Sequence, residues 1–284
     1  MIPDRTPHRT PFDTTGHIPP DFDPASFVAV AVGNTRTRAG VVKLGTLHDP
    51  APIEHSDIAA AAKEIAALAE RAAARDILLS TVNPKVSFAL TAALFGTHGL
   101  DVHPFGTEMV IPIVHALDDA STVGQDRLLC ALGAFAKAKQ ACVIVDAGTA
   151  ITADFIDGSG VFQGGVIAPG LRMMLQSLHE HTASLPLIDL ARPDPARGPF
   201  GKDTSHAMLL GVRAAAVGLV RYVAERYAEY YEAYPQIIAT GGDAALLFDG
   251  DEVVEHVVPD LQLLGIVEAG RLLLVEHDDA PDEP

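Results

Sequence analysis

Cysteine is nearly absent: Cys130 and Cys142 are all that the 284-residue chain contains. That is too few for a disulfide framework or a cysteine-built metal site, and both stand in apolar surroundings, so they read as buried, reduced thiols. Long hydrophobic runs are missing too, since no uninterrupted apolar stretch approaches the roughly 18–20 residues of a bilayer span. The opening residues carry Pro, Asp and His where a signal peptide needs an apolar segment. Basic residues are scarce, 20 Lys and Arg against 37 Asp and Glu, a formal net charge of −17. That balance repels nucleic acid backbones and anionic membranes, and no Lys/Arg cluster offsets it. No βαβ Gly-rich dinucleotide fingerprint is found. The chain therefore reads as a soluble, cytoplasmic protein with no nucleic-acid or membrane partner. An anionic substrate would need local cationic help, from a few arginines or a bound metal ion.

What is there is a core-forming sequence, 48% hydrophobic, in which one device is used twice. Val28–Val32 runs into Gly33-Asn34-Thr35-Arg36-Thr37, and Val143–Ala147 runs into Gly148-Thr149-Ala150-Ile151-Thr152. Each is an apolar strand entering a Gly-containing bend lined with hydroxyl or amide groups. Such a bend offers backbone N–H groups and hydroxyls to phosphate oxygens, because Gly permits close backbone approach. An acid two residues ahead of the Gly would hold a cation against those phosphates. Asp146 fills that place in the second copy, and Ala31 in the first. The pair suggests a nucleotide phosphate site between two related half-domains.

The pattern along the chain is mixed α/β. Residues 1 to about 25 show no apolar period and read as a mobile tail, as do the last residues, 278–284. An N-terminal half-domain is expected over 26–123 and a C-terminal one over 124–277. Phe27–Val32 and Gly40–Leu44 should form a hairpin, and Asp57–Arg75 a helix capped by Ser56 or Asp57. Ile77–Val82 reads as a strand, Val86–Leu94 as a helix and Val102–Pro104 as a short strand. A helix should run from about Asp126 to Lys137, followed by strands at Ala141–Val145 and Ile151–Ile156. The Gly164–Gly170 segment reads as a strand entering a turn, with a helix through about His179. Long helices are expected from Thr204 to about Tyr230 and over Leu261–Val275, with a buried strand at Gln236–Ala239. Two halves, each a hairpin around a Gly bend followed by helices, resemble the duplicated actin/hexokinase-like (ribonuclease H-like) fold.

Asp126-Arg127, at the head of a helix, is the leading catalytic candidate. A base must lie within hydrogen-bond reach of the hydroxyl it activates, and a neighbouring Arg can clamp a substrate carboxylate. The plainer reading is a helix cap beside a surface arginine. His179 and His181 flank Glu180, but residues two apart on a helix face different ways, so no metal site is read there. Tyr227, Tyr230, Tyr231 and Tyr234 recur at helical spacing and suggest packing on another helix, across a dimer included.

Taken in order, Gly33-Asn34-Thr35, Gly124-Gln125-Asp126-Arg127, Asp146–Thr152, Gly164–Gly170, Thr182-Ala183-Ser184-Leu185-Pro186 and Thr240-Gly241-Gly242 resemble the motifs of the type III pantothenate kinases. The likeness runs from about residue 27 to 275. It implies ATP-dependent phosphorylation of pantothenate to 4′-phosphopantothenate, the first step of coenzyme A synthesis, in a homodimer. By the same resemblance Asp126 is the base, and His115, Gly124, Gln125, Asp126, Arg127 and Thr204 meet pantothenate, Thr204 from the partner subunit. Thr204 could equally be a plain N-cap. Gly33, Asn34, Thr35, Arg36, Arg38, Thr149, Gly241 and Gly242 are the implied ATP contacts, the last two close to the adenine or ribose. Asp146 is the implied ligand of a monovalent cation, K⁺ or NH₄⁺, with Mg²⁺ at the phosphates.

The sequence departs from the family pattern in three places. Ala31 replaces the motif Asp expected to help hold Mg²⁺. A substrate-facing Tyr is replaced by His115 or Leu117, and Cys130 stands for an Asn after Asp126-Arg127. These departures keep open a second expectation, a catalytically impaired relative that binds nucleotide and acts as an accessory or regulatory protein.

Overall fold

The computed structural model describes residues 22–278. The expected tails lie outside the described residues up to position 21 and from 279 on. Phe22, inside the stretch read as a tail, is buried and packs on Phe27 and His103. The chain divides into two compact units. One holds the described residues to Lys139, Gly160–Phe162 and the segment from Asp260; the other holds Gln140–Ser159 and Gln163–Pro259.

The first unit opens with the expected hairpin, β1 (Ser26–Val32) against β2 (Thr37–Lys43), and adds β3 (Thr46–Ile53). Next come α1 (Ile58–Ala72), β4 (Asp76–Thr81), α2 (Pro84–His98), β5 (Asp101–Pro104), the two-residue β6 (Val114–His115) and α3 (Gln125–Ala138). Asp57 caps α1 by accepting from the Ala60 N–H, and Asn83 caps α2 from Val86, each satisfying an orphan donor of a first turn. The sheet order is β3-β2-β1-β4-β5, with β1 antiparallel to β2 and parallel to β4. Its core is aliphatic, built from Val28, Val30, Ile65, Ile77, Leu79, Leu90 and Leu94.

The second unit contains β7 (Cys142–Ala147), β8 (Ala150–Ile156), most of β9 (Val161–Pro169), α4 (Leu171–Glu180), α5 (Thr204–Tyr231), β10 (Gln236–Thr240), the short α6 (Ala244–Phe248) and β11 (His256–Val257). Its strands run β9-β8-β7-β10-β11, with β7 antiparallel to β8 and parallel to β10. With β7 set equal to β1, this repeats the order of the first sheet, and the pairings of β7 repeat the directions of the pairings of β1. The duplication seen in two short motifs thus extends to whole sheets.

The last helix, α7 (Leu261–Asp278), returns to the first unit and crosses α3. A methyl on Gly133 would stand 2.7 Å from the Leu261 carbonyl oxygen and 2.8 Å from the Gly265 N, so the backbones touch where both residues are glycine.

Helix α5 is long and apolar enough, by length and composition, to cross a membrane. In this fold it is a core helix: Val212, Ala216, Val220 and Val223 pack with Val143, Val145 and Phe155. Tyrosines mark its end. Tyr227 and Tyr231 lie on Phe155, with ring centroids 5.4 and 4.5 Å away, while Tyr230 and Tyr234 are exposed. The rings on the core side of α5 meet β8, because the sheet is what α5 covers.

Candidate active site

In the first unit the bend between β1 and β2 spans Gly33–Arg36 and is closed by the Gly33 N–H donating to the Arg36 carbonyl, 3.1 Å. Asn34, Thr35 and Arg36 are exposed on it, while Thr37 is buried with its hydroxyl 3.0 Å from His55 Nδ1. Ala31 is buried between two lateral neighbours, Arg38 on β2 and Ser80 on β4. Both neighbours are held by the start of α7. Arg38 donates through Nε and Nη2 to the Asp260 carboxylate, and Gln262 Nε2 donates to the Ser80 hydroxyl at 3.2 Å. Arg38, expected as a phosphate contact, is therefore paired with a carboxylate.

Helix α3 carries the other group of the first unit. Gly124 is its N-cap and offers no side-chain cap. Asp126 does not cap the helix: its Oδ1 accepts from the N–H of Arg127 at 2.9 Å. Burial holds the Asp126 carboxyl above the usual carboxylate range, against the weaker pull of that bond and of the Arg127 charge. A carboxylate raised in this way is a stronger base than a free one. The Arg127 guanidinium lies 5.9 Å from the centroid of the Phe162 ring. His115 is the cross-strand partner of that same Phe162, and its Nδ1 accepts from the Leu117 N–H at 3.4 Å. The Gln125 side chain is taken up elsewhere. Nε2 donates to the Phe105 carbonyl at 2.6 Å, and Oε1 accepts from the Thr81 N–H at 3.2 Å, so Gln125 ties α3 to the ends of β4 and β5.

In the second unit the bend between β7 and β8 is tighter, Gly148 and Thr149 alone, with the Gly148 N–H donating to the Ala150 carbonyl at 3.0 Å. Asp146 stands where Ala31 stands in the first sheet, but its lateral neighbours are Thr152 and Thr240. Gly241, at φ +93°, comes so near that a side chain there would strike Asp146 Oδ1 and the Ala147 carbonyl. The Asp243 N–H donates to that carbonyl at 2.9 Å. Gly170, on the other side, donates its N–H to the Thr149 carbonyl at 3.1 Å. Asp146, Thr149, Gly241 and Gly242 are thus one cluster. Thr204 is exposed at the first position of α5, where the N-cap is Asp203, accepting from the His206 N–H at 2.8 Å.

The two bends differ in what they can hold. Around Asp146 the donors are all oxygen, a carboxylate beside threonines, which fits a hard cation shared with phosphate oxygens. The Ala31 side chain offers no donor, and its neighbour Arg38 is paired with the Asp260 carboxylate. No cluster of three or more His, Cys, Asp or Glu suited to a metal ion occurs among the described residues. Sequence reasoning passed over Arg172 and Asp243, which meet beside the second bend. The signal was an arginine in the first turn of a helix, where the macrodipole disfavours a cation.

A sheet of one strand order used twice, each copy bearing a strand–bend–strand, defines the actin/hexokinase-like fold. Solved structures with this fold include a Baf family protein of Campylobacter jejuni (17% identical, 89% of this chain and 100% of that one, TM-score 0.53). The (R)-2-hydroxyglutaryl-CoA dehydratase component A of Acidaminococcus fermentans shares it at 13% identity over 89% and 99% of the two chains, TM-score 0.52. Within that class residues 27–226 match the type III pantothenate kinase family, and the chain belongs to it. Relatives bearing that name are similar to it in Maricaulis maris, 35% identical over 69% of this chain and 74% of that protein, and in Treponema pallidum, 33% over 72% and 74%. Another, from Akkermansia muciniphila, is 42% identical over 54% of this chain and 62% of its own length.

Proposed function

We propose that this protein transfers the γ-phosphoryl group of ATP to the primary hydroxyl of pantothenate, giving 4′-phosphopantothenate, as a soluble cytoplasmic enzyme. The observation that carries the reading is Asp126, a half-buried carboxylate with a raised pKa beside Arg127, in a chain of this family. The relatives cited above bear the name of the kinase, which weighs for the enzyme over the accessory-protein alternative.

Asp126 accepts the proton of the pantothenate hydroxyl as the oxygen attacks. Arg127 pairs with the pantothenate carboxylate, its guanidinium plane steadied by Phe162. His115 offers a polar edge where relatives are expected to use a Tyr. Asn34, Thr35, Arg36 and the N–H groups of the Gly33 bend receive phosphate oxygens, as do Thr149 and the Gly148 bend, with Gly241 and Gly242 leaving room for the nucleoside. Asp146 would hold a monovalent cation, K⁺ or NH₄⁺, and Mg²⁺ bound with ATP would supply charge neutralisation at the phosphates.

The working form is a homodimer with Thr204 facing the partner's substrate. Support comes from the exposed stripe Ala207, Gly211, Ala214, Gly218 and Tyr222 on α5, where Gly211 and Gly218 have open space beside them. Purified protein with ATP, Mg²⁺ and a potassium or ammonium salt should form 4′-phosphopantothenate. No product above an Asp126→Ala control would overturn the reading.

A further inference from the structure

Asp243 follows Gly242 and stands at the N-cap of α6, yet its carboxylate makes no capping bond. Both its oxygens instead accept from Nη1 of Arg172, at 2.8 and 2.7 Å. The Asp243 side chain is 6% exposed and that of Arg172 68%, so a buried anion leans on one solvent-facing cation. Water around the exposed guanidinium screens the pair, which is weaker than a fully buried one. Arg172 is also badly placed as a helix residue, second in α4, against the positive end of the macrodipole. Fold stability is therefore a weak reason for either residue.

Both partners are fastened to the same bend. Asp243 is tied through its N–H to the Ala147 carbonyl, and α4 is tied through the Gly170 N–H to the Thr149 carbonyl. Arg172 Nε and Nη2 have no partner among the described residues. The bend itself, Asp146–Thr152, carries a carboxylate and no Lys or Arg, unlike the first bend with Arg36 and Arg38. A polyphosphate approaching Asp146 would meet repulsion unless a cation stood beside it. A guanidinium gripped at one nitrogen by a fixed carboxylate presents its remaining donors in a set direction, the form suited to phosphate oxygens.

We propose that Arg172, aimed by Asp243, is a further nucleotide-binding residue that takes phosphate oxygens of ATP at the Asp146–Thr149 bend. The inference rests on the ATP-dependent reading above. Asp243 acts through Arg172 as a positioning residue and does not itself touch the nucleotide.

The test uses the full chain, with ATP binding read by calorimetry without pantothenate and steady-state kinetics read beside it. Arg172→Ala should raise the Kd and KM for ATP about 10-fold while leaving the KM for pantothenate unchanged. Arg172→Lys should recover part of the loss, because it keeps the charge and loses the fork. Asp243→Asn should shift ATP binding in the same direction as Arg172→Ala, and the double variant should lose little more than either. Thermal melts accompany each variant, and Arg172→Lys, which keeps a cation on the buried Asp243, separates loss of ATP contact from loss of the fold. Unchanged ATP affinity in that variant overturns the inference, as does an equal rise in both KM values. A wild-type protein that binds no ATP and makes no phosphopantothenate sinks the kinase reading itself. ATP binding by the wild type with an indifferent Arg172→Ala sinks only the role of Arg172.

Discussion

The carboxylate of Asp126 rests against the α-carbon of Gly124, so close that a methyl group there would collide with Oδ1. Gly124 has φ −61°, a conformation open to any residue, so its lack of a side chain serves space and not backbone freedom. Gly124→Ala should therefore displace Asp126 without straining the chain. The expected result is a fall of about 10-fold or more in kcat/KM with a melting temperature close to wild type, since a small misplacement of a catalytic group is costly.

Asp126 should also govern the pH profile. A base works only when deprotonated, so kcat/KM rises with pH through its raised pKa and then levels. Stability follows the opposite course. The folded-state pKa lies above the unfolded value, so the group's stabilising contribution is full below the unfolded pKa and is lost as pH rises through the folded one. Asp126→Asn should cut kcat by about 10²–10⁴ and be no less stable than wild type at neutral pH. Thermal melts and initial rates across pH measure both.

Ala31→Asp places a carboxylate between Arg38 and Ser80, at the position in the first sheet that Asp146 holds in the second. The new acid can pair with Arg38, now occupied by Asp260, and offers oxygen to a divalent ion. ATP affinity measured with and without Mg²⁺ should then differ more in the variant than in the natural protein. An identical ratio would count against a cation role for this position.

The crossing of α3 and α7 depends on Gly133 and Gly265. Gly265→Ala would press a methyl into the backbone of Leu129. Overpacking of this kind costs about 1–3 kcal/mol. Urea unfolding should show a lower midpoint, and an unchanged midpoint would mean the helices do not approach so closely.

Both thiols should be inert in the native state. Cys130 and Cys142 are buried and unpaired by disulfide, and burial with the Glu255 charge pushes the Cys142 thiol up to about 11. A thiol reagent at neutral pH should react only after denaturation, because the thiolate is the nucleophile. Rapid labelling of folded protein would contradict the packing.

The order of apolar runs and glycines marks the bends at Gly33 and Gly148, the helix behind Asp126 and the long α5. Each of these is written in contiguous residues, where side-chain period and capping chemistry act at short range. Strand β3 escaped such a reading because it is an edge strand, mostly exposed, with Pro50 and Pro52 in place of alternation. Two-residue β6 and β11 and five-residue α6 are too short to carry a period.

By itself, then, the sequence determined the duplicated α/β frame, the two glycine bends, the family and the carboxylate at position 126. Tertiary structure alone decided what the charged side chains do. Arg38 meets Asp260, Gln125 is spent on Thr81 and Phe105, and Asp243 finds Arg172. The reason is range: periodicity is set by neighbours along the chain, whereas an ion pair forms between residues that only packing brings together.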